Sequence, residues 1–240
     1  MRTFLFSRLC GFVGLAGLVG FIIGSSGCAS SAVPYAELYG LVAKAALPPD
    51  DDALPAQLNP QLRYLRVDVP GRPPALLVLG YLDPHPEGEV EVWYSSQGEV
   101  LKTRQGRIIG TAGLELDWRR VATIPPAPRW QEVTAAGHRY RRLRDEMPGY
   151  RQSIASDMVV IPWTGLPNTA LAASLLPERA RRYQWFREEE ANSSLGNPLP
   201  AAWYAWGRYN GQAAVVFSQQ CLSVTFCLSL QPWPPQDNPA

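Results

Sequence analysis

Between Leu62 and Leu116 short apolar runs alternate with turn-forming residues, and that rhythm leaves few folds open. Leu65, Val67 and Val69 alternate with polar neighbours, Pro70-Gly71-Arg72 breaks the run, and Ala75 to Leu82 is apolar nearly throughout, as in a strand covered on both faces. After the loop Asp83 to Gly88, Glu89 to Ser95 sets Val90, Val92 and Tyr94 on one face and Glu89, Glu91 and Trp93 on the other. Gln97-Gly98 and Gln105-Gly106 are turns around Glu99 to Thr103, and Arg107 to Thr111 follows. Five consecutive strands in a meander are predicted, with no catalytic signature among them.

The remainder continues the pattern. Trp118 to Val121, Trp130 to Tyr140 and Tyr150 to Val160 read as strands, with Ile124-Pro125-Pro126-Ala127-Pro128 either a rigid connector between two sub-sheets or a loop within one domain. Trp203 to Tyr209, Asn210-Gly211 and Gln212 to Ser218 form the strongest hairpin signal, because Asn-Gly accepts the positive φ angles of a type I′ turn. Leu222 to Leu230 reads as the closing strand. The 23 prolines and 20 glycines favour short strands over long helices. A mainly β fold is expected, an antiparallel β-sandwich or incompletely closed barrel, with a short N-terminal helix where Tyr35, Leu38, Leu41, Val42 and Ala45 recur at helical spacing. The organisation predicted is a leader over 1–27, a tether, helix and loop over 28–60, a β domain over 61–235 and a tail over 236–240.

The leader has Arg2 and Arg8 ahead of an apolar run from Leu9 to Gly24. Those 16 residues reach about 24 Å as a helix against about 30 Å of hydrocarbon, short for a permanent span. Ser25-Ser26-Gly27-Cys28 resembles a bacterial lipobox, in which the thiol is acylated, the leader is cut before it, and acyl chains hold the new N-terminus to a membrane. Cys28 is the expected lipidation site. Ala29 replaces the Asp that retains such proteins in the inner membrane, so an outer-membrane anchor, facing the periplasm, is expected.

Cys10 leaves with the leader, and two thiols, Cys221 and Cys227, remain for an oxidising compartment, where a disulfide is possible. On one strand they would lie about 20 Å apart, and a bridge needs Cα atoms within about 7 Å. A sharp turn between them would permit the bridge; an unbroken strand leaves two buried free thiols.

No zinc spacing, nucleophile elbow, Walker loop or dinucleotide fingerprint occurs, and His85 and His138 stand alone. No enzyme and no cofactor is expected. A formal net charge of +1, moved close to zero from the other side by removal of Arg2 and Arg8, gives no support for nucleic-acid binding. Asp50 to Asp52 and Glu188 to Glu190 read as solvated charge runs, and Arg139, Arg141, Arg142 and Arg144 as the wet face of a strand or a basic patch for acidic sugars or headgroups. Trp93, on the polar face of its strand, is a candidate to stack on a sugar ring, with Tyr94 beside it, and Arg107 a candidate to hold a uronate or phosphate. Alternatively Trp93 fills a gap, and Arg107 ties a turn or pairs with Glu91 or Glu99. Tyr204 and Trp206 form an aromatic ridge or core packing.

Leu79-Gly80-Tyr81, Glu91-Val92-Trp93-Tyr94-Ser95, Gly98-Glu99-Val100-Leu101 and Gly106-Arg107-Ile108-Ile109-Gly110-Thr111-Ala112-Gly113-Leu114 together resemble the GfcB/YjbF family of bacterial lipoproteins, and Pro148-Gly149-Tyr150-Arg151 and Phe217-Ser218-Gln219-Gln220 fall where that family has similar segments. The resemblance implies a non-catalytic accessory in capsule or exopolysaccharide export, with polysaccharide and export-complex proteins as partners beside the membrane. It also implies a strand within the ambiguous stretch Glu178 to Glu190. The rival expectation is a periplasmic lipid or lipoprotein carrier with an apolar cavity in a curved sheet.

Overall fold

The computed structural model describes residues 58–167 and 177–236, all within a compact unit spanning Pro34–Ala240. The leader, Cys28, the predicted helix near Pro34 and the tail beyond residue 236 lie outside the described residues.

The predicted meander forms as β1 (Tyr64–Asp68), β2 (Ala75–Asp83), β3 (Val90–Tyr94), β4 (Val100–Arg104) and β5 (Arg107–Ala112). It continues through β6 (Asp117–Ile124), β7 (His138–Met147), β8 (Arg151–Trp163), β9 (Gln184–Ser193), β10 (Ala202–Tyr209), β11 (Gln212–Cys221) and β12 (Cys227–Trp233). Helix among the described residues amounts to one 3-10 turn, Trp130–Glu132, and a single turn α1 (Pro177–Ala180).

All twelve described strands belong to one antiparallel sheet, ordered β5-β4-β3-β2-β1-β12-β11-β10-β9-β8-β7-β6. Residues 125–128 join neighbouring strands of that sheet. The first and last strands pair, with Val67 opposite Leu230, so the meander curls into a ring broken only between β5 and β6. The incompletely closed barrel is what forms; there is no second sheet among the described residues to make a sandwich. Side chains bridge the break at one end. Asp117 Oδ1 accepts from the Thr111 hydroxyl at 3.0 Å, Asp117 Oδ2 from the Gly113 amide at 3.0 Å, and the Trp118 amide donates to Thr111 Oγ1 at 2.9 Å.

Eight strands close on a lumen that side chains just fill, so a ring of twelve needs more than its own inward residues. Two connections supply it. The one between β6 and β7 turns inward and places Trp130 against Tyr140, Met158, Phe186 and Tyr204. The β4–β5 hairpin leans across onto β11, where the Gln220 amide donates to Gly106 O at 2.8 Å and its oxygen accepts from the Ile108 amide at 2.9 Å. Gly106 permits the approach: its φ is +76°, and an added Cβ would sit 2.6 Å from Val215 Cβ. On the far side Leu65, Leu77, Trp93, Leu101, Ile108, Trp118 and Leu228 form the apolar part of the interior.

Two local expectations are corrected and a third, the strand within Glu178 to Glu190, is met in part. Trp130 is not in a strand, because Pro125 to Pro128 cannot sustain a ladder and the extended segment resumes only at His138. Glu178 to Glu190 divides into α1 and the first part of β9. Leu222 to Leu230 is not one strand: the Ser223 hydroxyl accepts from the Thr225 and Phe226 amides at 3.3 and 3.1 Å, and the Leu222 amide donates to Phe226 O at 2.8 Å. That turn makes Cys221 and Cys227 cross-strand partners with Cα atoms 3.9 Å apart, joined as a disulfide, so neither is the free thiol that an unbroken strand would leave. Replacing both by Ser is expected to cost about 2 kcal/mol, the loop-closure value for so short a loop, measured as a lower urea midpoint under non-reducing conditions.

A candidate glycan cleft above a charged core

The inward face of β7 to β11 carries an unusual load of buried charge. Arg144, 1% exposed, donates to Glu146 Oε1 at 2.7 Å, to Glu190 Oε1 at 3.0 Å and to Ser156 Oγ at 3.0 Å. Arg142 reaches Glu190 at 2.5 Å, and the Leu199 amide donates to the other Glu190 oxygen at 2.9 Å. Burial alone would raise the Glu190 carboxyl; Arg142, the Leu199 amide, Ser156 and Arg144 outweigh it and hold the carboxyl below its usual range.

A second knot surrounds Glu188. Arg107 Nε donates to Glu188 Oε1 at 2.9 Å and Arg107 Nη1 to Pro128 O at 3.2 Å, while the guanidinium lies 3.7 Å from the centroid of Trp130. The Tyr204 hydroxyl is 3.0 Å from Glu188 Oε2 and 3.0 Å from Gln220 Oε1, with one hydrogen to give. Burial, then the Glu188 charge, pushes the Tyr140 and Tyr204 phenols up, so both are neutral donors. Burial opposes the Arg107 cation, but Glu188 and the two phenol oxygens more than restore it.

Above this core, at the rim formed by the β2–β3, β4–β5 and β10–β11 turns, a cleft of about 660 Å³ opens into the ring. Its walls bring together Trp93, Trp206 and Tyr209 with Arg63, Glu91 and Gln212. Arg63 donates to Glu91 Oε1 at 2.6 Å, and Glu91 Oε2 accepts from Thr103 at 3.0 Å, which fixes the polar wall. Aromatic faces beside hydrogen-bonding groups, in a cleft of this size, suit a polar ligand with apolar patches.

The three sequence candidates do not converge. Trp93, 3% exposed, belongs to the interior, its indole N–H donating to Thr103 Oγ1 at 3.0 Å, and only its edge borders the cleft. Tyr94 is on the opposite face, packed with Tyr64, Leu76 and Val78. Arg107 pairs with Glu188, not with Glu91 or Glu99. The polar face of β3 is the inward one. Likewise Glu188 and Glu190 are buried ion-pair partners rather than a solvated run, and only Glu189 between them turns out, to Arg187 at 2.5 Å. The arginine run splits the same way: Arg141 outward to Asp157 at 2.9 Å, Arg142 and Arg144 inward. Sequence reasoning missed Trp130, Glu188 and Gln220 as interior groups; the available signal was the spacing of two between Arg142 and Arg144 and between Glu188 and Glu190.

Comparison with known proteins bears on this architecture. Residues 56–166 match the family described as group 4 capsule polysaccharide lipoprotein GfcB, YjbF. Over that segment the chain is similar to the YjbF family. The segment covers β1 through β8 and so carries the unclosed seam, the inward Trp130 and half of the charged core. A similar solved structure is that of the hypothetical lipoprotein YmcC from Escherichia coli (K12), with 17% identity over 73% of this chain and 85% of that chain and a TM-score of 0.54, a likeness of fold. No curated protein matches.

Proposed function

We propose that the protein is an outer-membrane lipoprotein, anchored through Cys28 at the periplasmic face, that serves capsule or exopolysaccharide secretion as a non-catalytic accessory by binding glycan. The carrying observation is the rim cleft, in which Trp206 and Tyr209 are half-exposed beside Arg63, Glu91 and Gln212. A pyranose offers C–H faces to the rings and hydroxyls to the polar wall. The family description supports the polysaccharide context. Trp93 and Arg107 are too buried to report on ligand by truncation; Trp206→Ala with Tyr209→Ala removes ligand-facing rings that lie at the rim. That pair is expected to weaken retention in polysaccharide-containing affinity gels about tenfold, two stacking contacts' worth, in a chain that still unfolds cooperatively at a lower midpoint. Retention equal to that of the unmodified protein would end this assignment of the cleft.

A second reading, the lipid or lipoprotein carrier, draws on an apolar pocket of about 280 Å³ at the opposite rim, lined by Val67, Leu77, Leu101, Leu114, Phe226 and Leu228. It is at the small end for a lipid, and the buried ion pairs interrupt any continuous apolar cavity through the ring.

A further inference from the structure

The seam between β5 and β6 contains two guanidinium groups with hydrogens to spare. Arg107, 8% exposed, uses Nε on Glu188 and Nη1 on Pro128 O, and its Nη2 has no acceptor. Arg142 uses Nη2 on Glu190, and its Nε has none. Both side chains line one cavity of about 30 Å³, together with Ile109, Val121, Thr123 and Tyr140, where the two sheet edges run without a shared ladder. Leaving a buried charged donor unmade is costly, so two that line one cavity call for an acceptor.

The carboxylates in the lining do not supply it. Glu188 is held by Arg107 Nε, and Glu87 is held by Arg104 at 2.5 Å, whose Nη1 also meets His85 at 3.0 Å. The Tyr140 phenol is neutral and faces Glu188, and the Thr123 hydroxyl already accepts from the Ala127 amide. A water could accept these N–H groups, but only as a neutral acceptor facing two cations. An oxygen of an anionic group brings lone pairs alone, and two arginines are the donors such a group binds best.

We propose that the unclosed seam is a binding site for one oxyanion group, the carboxylate of an acidic sugar or a phosphate carried on one, received by Arg107 Nη2 and Arg142 Nε. It rests on the glycan reading and gives it a charge preference: the polymer bound is acidic. A cavity of about 30 Å³ takes only the oxygen edge of the group, and the sugar stays outside it.

Calorimetric titration of the full mature chain in detergent tests this with sodium glucuronate, inorganic phosphate and glucose. Saturable millimolar binding of glucuronate or phosphate, with none for glucose, is expected, the tighter of the two identifying the source. Arg142→Gln should weaken it about tenfold, the loss of one charge-assisted hydrogen bond. Arg107→Gln alone would strand Glu188, so Arg107→Gln with Glu188→Gln keeps a neutral pair there and should weaken binding similarly. Trp206→Ala with Tyr209→Ala should leave glucuronate binding intact. No saturable binding, or binding indifferent to both arginine variants, would mean that the cavity holds water only and would overturn the site; polymer retention lost in the cleft variant would still stand in that case as evidence for the glycan reading.

Discussion

Arg144→Ala is expected to destabilise the barrel by about 3–5 kcal/mol, enough to abolish folding in a marginal domain. The guanidinium bridges Glu146 and Glu190 while also donating to Ser156, and it lies beneath Trp118 at 5.4 Å from the ring centroid. Truncation leaves Glu190 to Arg142 and Glu146 to Arg151 alone, strips Ser156 of its donor and opens a void under the indole. Arg144→Lys is the informative partner, because an ammonium is a point donor and lacks the fork that spans both carboxylates; it should lose most of the same stability. Urea unfolding followed by tryptophan fluorescence measures both, and a shift in midpoint equivalent to less than about 1 kcal/mol for Arg144→Ala would show that the network is not a structural tie. The pH dependence has a definite sign. The Glu190 carboxyl sits lower in the folded chain than in the unfolded one, so its stabilising contribution is present above the unfolded value of about 4.3 and disappears as pH falls through the lower folded value. Acid should therefore weaken the wild-type chain below about pH 4, and Glu190→Gln should flatten that part of the curve.

Trp130→Ala is expected to cost about 3–5 kcal/mol. The ring is 1% exposed, lies 5.1 Å from Phe186 and 4.5 Å from Tyr204 by centroids, carries the Arg107 guanidinium on its face, and donates its N–H to Gln105 O at 2.9 Å. It thus ties the β6–β7 connection to the tip of the β4–β5 hairpin and fills space that twelve strands leave empty. Trp130→Phe should recover most of the loss, falling short by about 1 kcal/mol for the missing hydrogen bond. A Trp130→Ala chain with an unaltered thermal midpoint would mean that the lumen is filled by something other than this connection.

The strands were legible where alternation is unbroken and turn residues are explicit: Leu65 to Val69, Val90 to Tyr94 and the Asn210-Gly211 hairpin follow directly from period two and positive φ. Which face is inside was not legible. A strand with Glu91 and Trp93 on one side and Val90 and Val92 on the other looks solvent-facing on the charged side, but a ring wide enough to need filling turns charge inward and compensates it across strands, Arg107 with Glu188 and Arg144 with Glu190. Such pairs join residues 81 and 46 positions apart, and only the fold reveals them. Cys221 and Cys227 were hidden for a related reason: three residues, Ser223 to Thr225, preserve the alternation of a strand while reversing the chain.

Because β1 and β12 are neighbours, which strand comes first in the order is a topological accident of a cyclic meander. Linking residue 233 to residue 64 and reopening the chain within 113–116 would give a circular permutant with every ladder kept, its new termini at the seam. The loop at 113–116 is then the covalent hinge of the gap: with it cut, the two sheet edges would be held together by side chains, Asp117 and Thr111 at one end and Arg107 and Trp130 farther along, and the width of the opening would become a property of side chains rather than of the backbone.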